Sequence, residues 1–92
     1  MDTILQIPIR IIKEQELVIG PLAWDEARKV PGLMVDQGHN SVSFNGDAKQ
    51  AINGLVAQYE RIFGRASHAV CHDAVLNIIS KMKPEEIPES LK

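Results

Sequence analysis

The first part of the chain alternates between apolar and polar positions. In residues 4–12 the apolar set is Leu5, Ile7, Ile9 and Ile11, and the polar or interrupting set is Gln6, Pro8 and Arg10. A period of two is typical of a strand with one buried face. Pro8 has no N–H to donate, so this strand is predicted at a sheet edge. Residues 17–19 form a second apolar run after a polar break, and they predict a second strand.

The middle of the chain predicts a short helix followed by a hairpin. Gly20-Pro21 opens the helix, because proline at the first helical position loses only an N–H that has no partner there. Pro31-Gly32 ends it. Two short apolar runs, 33–35 and 41–44, flank the turn-forming residues 36–40 and predict two antiparallel strands.

Two longer helices are predicted after the hairpin. Over residues 47–63 the apolar positions fall on one arc of a helical wheel, with Asp47 as the N-cap. Gly64 is expected to end this helix with a left-handed cap. Ser67 is expected to cap a last helix that runs to about Lys83, before a proline. The short connection predicts that the two helices form an antiparallel hairpin.

These elements predict an α+β fold. It consists of a small antiparallel sheet of about four short strands, covered on one face by the C-terminal helical hairpin plus one short helix. Residues 1–83 are expected to form a single domain. Residues 84–92 contain two prolines and are mostly polar, so they are expected to be an extended or frayed tail.

Composition narrows the class of function. The 92 residues carry ten basic and twelve acidic side chains, a net charge of −2, with both signs interspersed. Without a basic stripe, nucleic acid is not expected as a partner. No apolar stretch reaches the ~18–20 residues of a membrane span. The single cysteine excludes an internal disulfide, and no leader-like segment is visible, so a cytoplasmic location is expected.

The last predicted helix carries the candidate chemistry. His68 and His72 are four residues apart, so both face the same way, and imidazole is a common ligand of transition metals. Cys71 and His39 would add a thiolate and a third imidazole, which suits zinc or another transition metal. The alternative is that Cys71 is a small core residue and the two histidines line the edge of the helix–sheet contact. In that case desolvation is expected to lower the pKa of both histidines.

No catalytic residues are predicted. Cys71 and His72 are adjacent on a helix and point ~100° apart, so they form no thiol–imidazole pair. The apolar arc of the last helix is wider than one packed neighbour requires, which predicts an interface. Its residues are Val75, Ile78, Ile79 and Met82. The expected function is a small non-catalytic binding or regulatory module with a protein partner or, by self-association, a homodimer. The alternative is a small metal-binding protein.

Overall fold

The computed structural model describes residues 3–92. In this part of the chain it contains four α-helices and two strands. The helices are α1 (Thr3–Ile19), α2 (Leu22–Ala27), α3 (Ala48–Phe63) and α4 (Arg65–Ile79), and the strands are β1 (Leu33–Asp36) and β2 (Ser41–Phe44). The predicted α+β class is confirmed. The prediction of about four strands is wrong, because the described residues form one two-stranded sheet.

The two predicted N-terminal strands are instead a single helix, α1. Its fully buried side chains repeat at helical spacing: Ile7, Pro8, Ile11, Ile12 and Gln15. Ile7 and Ile11 satisfy the period of two and also lie four residues apart, so alternation alone does not separate a strand from a helix. Pro8 lies inside the helix, where a missing N–H ordinarily costs about 3 kcal/mol. Packing of the buried face offsets this cost.

Helix α1 is the element around which the others pack. It has its most extensive contact with α4 and also contacts α2, α3 and β2. The two C-terminal helices contact each other, and α4 packs chiefly on α1; neither helix has an extensive contact with the sheet, which differs from the predicted arrangement. The apolar face of α4 is therefore covered within the chain itself.

The hairpin and the start of α3 follow the prediction. Strands β1 and β2 pair antiparallel, with Leu33 opposite Phe44. The predicted N-cap is also present, because the Asp47 carboxylate accepts from the backbone N–H groups of Lys49 and Gln50. Local hydrogen bonding specifies both features, so the sequence alone is sufficient to locate them.

Helix α4 begins earlier and ends earlier than predicted. Gly64, with φ +86°, ends α3, and α4 starts at the next residue. Ser67 is therefore inside α4, buried, and is not its N-cap. The helix ends at Ile79 rather than near Lys83. Gly64 thus ends α3 and directly precedes α4, and no side chain caps the start of α4.

The C-terminal segment differs from the extended or frayed tail expected for residues 84–92. It contains two single 3₁₀ turns, Pro84–Glu86 and Glu89–Leu91. Leu91 is fully buried, and the last turn packs on α3. We refer to residues 84–92 as the docked tail. Leu91 is the apolar anchor of this segment, and burial of one leucine side chain stabilises by about 1.5–3 kcal/mol.

Candidate functional site

His68 joins three parts of the fold at the N-terminal end of α4. Its Nδ1 lies 2.6 Å from a carboxylate oxygen of Glu60 on α3. Its Nε2 lies 2.6 Å from the backbone carbonyl oxygen of Ser90 in the docked tail. The side chain is 40 % exposed, so it is reached by solvent along one edge. His68 therefore connects α3, α4 and the tail.

Both contacts of His68 require the charged imidazolium. A carbonyl oxygen and an ionised carboxylate only accept hydrogen bonds, and a neutral imidazole has only one N–H to give. The hydrogen bond to the Ser90 carbonyl and then that to Glu60 raise the pKa of His68 above its ordinary value. The lowering expected from desolvation is therefore wrong for this residue, because partial exposure leaves desolvation a minor influence.

A groove of about 570 Å³ opens beside His68. Its lining residues are Glu60, Arg65, His68, Ala69, His72 and Lys92. His72 is also partly exposed, with Nδ1 3.8 Å from the Asp73 carboxylate. The two histidines thus line a polar groove and not the apolar arc in which they were predicted. The apolar face of α4 lies a little further around the helix, where it contacts α1.

Cys71 does not line this groove. It is fully buried and accepts a hydrogen bond from Gln15 Nε2 at 3.3 Å. Burial raises the pKa of the Cys71 thiol to about 11. The thiol is therefore protonated near neutral pH, which is typical of a packed core cysteine and not of a nucleophile.

The four predicted metal ligands do not come together. His39 lies in the hairpin loop, where its Nδ1 is 2.6 Å from Asp36, and its side chain is 83 % exposed. Cys71 is in the core, and only His68 and His72 share the groove. Within residues 3–92 no group of three His, Cys, Asp or Glu side chains is placed to hold a metal ion. The metal site stays a prediction without geometric support.

The residues predicted to form an interface lie in the core. Val75, Ile78 and Ile79 are buried, and Met82 is partly buried against the same cluster. They are not available to a second molecule while the chain is folded, because α1 already covers them. The prediction treated the first segment as a strand, and so the large apolar face of α1 had no place in it.

A different apolar surface is exposed where α1 ends and α2 begins. Leu17 is 81 % exposed, Val18 65 % and Leu22 43 %. We call these three residues the apolar corner. The corner is held in place by Trp24, whose buried indole N–H donates to Glu16 at 2.9 Å. Sequence reasoning missed it by placing Leu17 and Val18 in a strand, although their position just before Gly20-Pro21 marks a turn.

Comparison of the chain with protein-family models, with curated proteins and with solved structures finds no match. No helix in residues 3–92 has the length and apolar character that crossing a bilayer demands.

Proposed function

We propose that this protein is a small non-catalytic binding module that acts by self-association through the apolar corner. The observation that carries the proposal is the exposure of Leu17 and Val18, two consecutive aliphatic side chains on the last turns of α1. Leu22 begins α2 directly after the turn and is the third exposed aliphatic residue at this junction. Removal of aliphatic surface from water on association contributes a favourable free energy of about 25 cal/mol per Å².

The other large exposed apolar side chains are dispersed over separate elements. They are Met34 on β1, Ile62 on α3 and Leu76 on α4. Single exposed aliphatic residues are ordinary on a folded surface, whereas a contiguous group marks an interaction site. The apolar corner is the surface in the described chain that meets this description most closely.

Charge favours a second copy of the chain as the occupant. Lys13 lies one helical turn before Leu17, and Glu14 lies one turn before Val18, so charges of both signs flank the corner; Glu16, next to Leu17, is engaged by the Trp24 indole N–H. Such a rim is complementary to itself, as a two-fold interface requires. A net charge of −2 opposes the approach of two copies only weakly.

The size of the exposed apolar surface indicates how strong the association can be. The total accessible surface of the chain is 5341 Å², close to the roughly 5300 Å² that a folded monomer of this mass exposes. The chain is therefore compact on its own and does not depend on a partner to complete its core. Three aliphatic side chains provide much less than the ~800 Å² per partner of a standard interface. We expect a weak dimer, with a Kd on the order of 0.1–1 mM.

Sedimentation velocity over roughly 10 µM to 1 mM protein tests the proposal. The weight-average sedimentation coefficient of the wild type should rise with concentration toward that of a dimer. The double variant Leu17→Ser/Val18→Ser should stay at the monomer value. The matched control is Leu76→Ser, which removes an exposed leucine from α4 and should associate like the wild type.

A wild-type coefficient that is independent of concentration would overturn the proposal. So would an association that survives the double substitution. Far-UV circular dichroism of the variant checks that the loss of association is not a loss of fold. Because Leu17 and Val18 are exposed, serine there should change the free energy of unfolding by less than about 0.5 kcal/mol.

A further inference from the structure

The docked tail is held on the helices by one apolar anchor and a set of polar contacts. Leu91 is fully buried against α3. The amide and hydroxyl of Ser90 both donate to Asn53 Oδ1 on α3, at 3.0 and 2.7 Å. Lys49 Nζ also donates to the backbone carbonyl of Glu85. Of the polar contacts, the one through His68 is the one whose donor gains or loses its charge near neutral pH.

We propose that His68 makes docking of the tail depend on a proton: the imidazolium clamps the Ser90 carbonyl and Glu60 together, and the neutral ring loosens the tail from α3 and α4. The geometry supports this directly, because two acceptors lie 2.6 Å from the two ring nitrogens. A neutral ring satisfies one of them and leaves the other facing a bare nitrogen lone pair. The bare ring nitrogen and the oxygen that faces it are then both hydrogen-bond acceptors, and they repel each other at this short distance.

The charged groups near the ring come from α3, α4 and the docked tail. Glu60 on α3 stabilises the imidazolium. Arg65 and His72 on α4 line the same groove, and Lys92 reaches it from the tail. Lys92 is itself paired with Glu89 at 3.1 Å, which reduces its effect on the ring. Arg65 carries the same sign of charge as the imidazolium, and Glu60 is the carboxylate that pairs with it.

The direction of the pH dependence follows from linkage. The hydrogen bond to the Ser90 carbonyl raises the pKa of His68 and exists only while the tail is docked, so His68 holds its proton more tightly in the docked state than in the released state. Docking is therefore strongest at pH values below the pKa that His68 has in the released state. It weakens as pH rises through the higher pKa of the docked form. Each unit of difference between the two pKa values changes the docking equilibrium tenfold.

Release of the tail would uncover the apolar seat of Leu91 on α3 and open the groove beside His68. The tail thus acts as a strap over this end of the molecule. The device is independent of the apolar corner, which lies at the other junction, between α1 and α2. The tail proposal and the proposed self-association rest on different residues, so the failure of one does not affect the other.

Hydrogen exchange of the Ser90 amide in the full chain measures docking, because this N–H donates to Asn53. The protection factor, which is the intrinsic exchange rate divided by the observed rate, removes the ordinary pH dependence of exchange. In the wild type it should fall several-fold between about pH 5.5 and pH 8.5. The midpoint should coincide with the titration of His68 followed by NMR of the same sample.

The decisive variant is Glu60→Gln. A glutamine amide donates to the bare Nδ1 of a neutral ring, which leaves the Nε2–H for Ser90, and its carbonyl accepts from a charged ring. The tail should therefore stay docked across the pH range, and the fall in protection should be lost. His68→Gln should give weaker protection that does not change with pH. The matched control His72→Gln alters the neighbouring histidine and should keep the wild-type fall.

Four results would each overturn the proposal. The first is a wild-type protection factor that does not change with pH. The second is a Glu60→Gln variant that loses protection with rising pH as steeply as the wild type. The third is loss of the pH dependence in His72→Gln, which would assign the titration to the wrong histidine. A His68→Gln variant that retains full protection and its pH dependence contradicts the proposal as well.

Discussion

Val30 packs directly onto Gly54. A methyl group in place of the Gly54 hydrogen would lie 3.1 Å from Val30 Cγ1, which is closer than ordinary van der Waals contact. Gly54 is in the middle of α3, and Val30 is a buried residue between α2 and β1. The glycine therefore permits the segment after α2 to approach α3 closely. On the helical wheel alone, Gly54 falls on the polar side and its packing role is not visible.

The contact between Gly54 and Val30 predicts a coupled pair of substitutions. Alanine favours a helix interior by about 1 kcal/mol over glycine. In the wild type, the stiff β-branched Val30 opposes this gain, so Gly54→Ala should stabilise the protein by much less. In a Val30→Ala background the full ~1 kcal/mol should appear. Urea unfolding followed by the fluorescence of Trp24, the single tryptophan, measures both effects. Equal effects in the two backgrounds would contradict the contact.

Removal of the Tyr59 hydroxyl oxygen should lower the free energy of unfolding. Its side chain is fully buried, and its hydroxyl donates to the backbone carbonyl of Ala23 at 2.6 Å, which ties α3 to α2. Burial raises the pKa of this hydroxyl, so it remains a donor at all ordinary pH values. Tyr59→Phe leaves the carbonyl without this donor and should lower the free energy of unfolding by about 1–2 kcal/mol. A loss below about 0.3 kcal/mol in urea titrations would mean that the bond contributes nothing.

The hydrogen bonds of the Glu26 carboxylate predict that the free energy of unfolding decreases in acid. Its carboxylate accepts from Gln58 at 2.7 Å and from Lys29 at 3.1 Å, and these contacts lower its pKa, Gln58 most strongly. The folded pKa is below the unfolded one, so the stabilisation is complete above the unfolded value of about 4.3. It is lost as pH falls through the lower, folded value.

The test of Glu26 compares the unfolding free energy at about pH 6 and about pH 3 in three proteins. Glu26→Gln should show a smaller decrease than the wild type. Asp25→Asn is the matched control, because Asp25 is the exposed neighbour on α2. It should follow the wild-type decrease more closely than Glu26→Gln does. If Glu26→Gln loses as much stability in acid as the wild type, the carboxylate contacts are not formed in solution.

The buried Gln15 side chain should be replaceable by an apolar one with little change in the free energy of unfolding. Its Nε2 donates to the Ser67 carbonyl at 3.0 Å, but its fully buried Oε1 has no partner. Gln15→Met keeps most of the volume and removes the unpartnered oxygen, so its cost should stay below about 1 kcal/mol or turn into a gain. Gln15→Ala leaves a cavity between α1 and α4 and should cost about 2 kcal/mol or more. Similar losses in both variants, measured by urea unfolding, would contradict this account.

The sequence predicts correctly those elements that are specified by local chemistry. The Asp47 cap fixes the start of α3, and Pro31-Gly32 separates α2 from the hairpin. It fails for α1, where Ile7 and Ile11 fit both periods and Pro8 argues against a helix. Only the contact of α1 with α4 decides between them. Tertiary packing overrides local preference in this segment.

The candidate site was predicted only in part. The spacing of His68 and His72 places both on one side of α4, and both line one groove, but this groove is polar and is not the predicted apolar arc. The partners of His68 were not predictable, because Glu60 lies across a tight turn and Ser90 arrives from a tail that reads as unstructured. The exposed corner at Leu17 and Val18 was missed for the same reason as α1, since a strand assignment hides which helical face is left uncovered.

The most direct test of self-association is a dilution series of amide NMR spectra from about 1 mM to about 20 µM. Proposed self-association through the apolar corner predicts concentration-dependent shifts in residues 13–22, centred on Leu17 and Val18. Residues 75–82, whose apolar side chains pack within the chain, should show no shifts. Spectra that do not change with concentration, or changes centred on residues 75–82, would contradict the account.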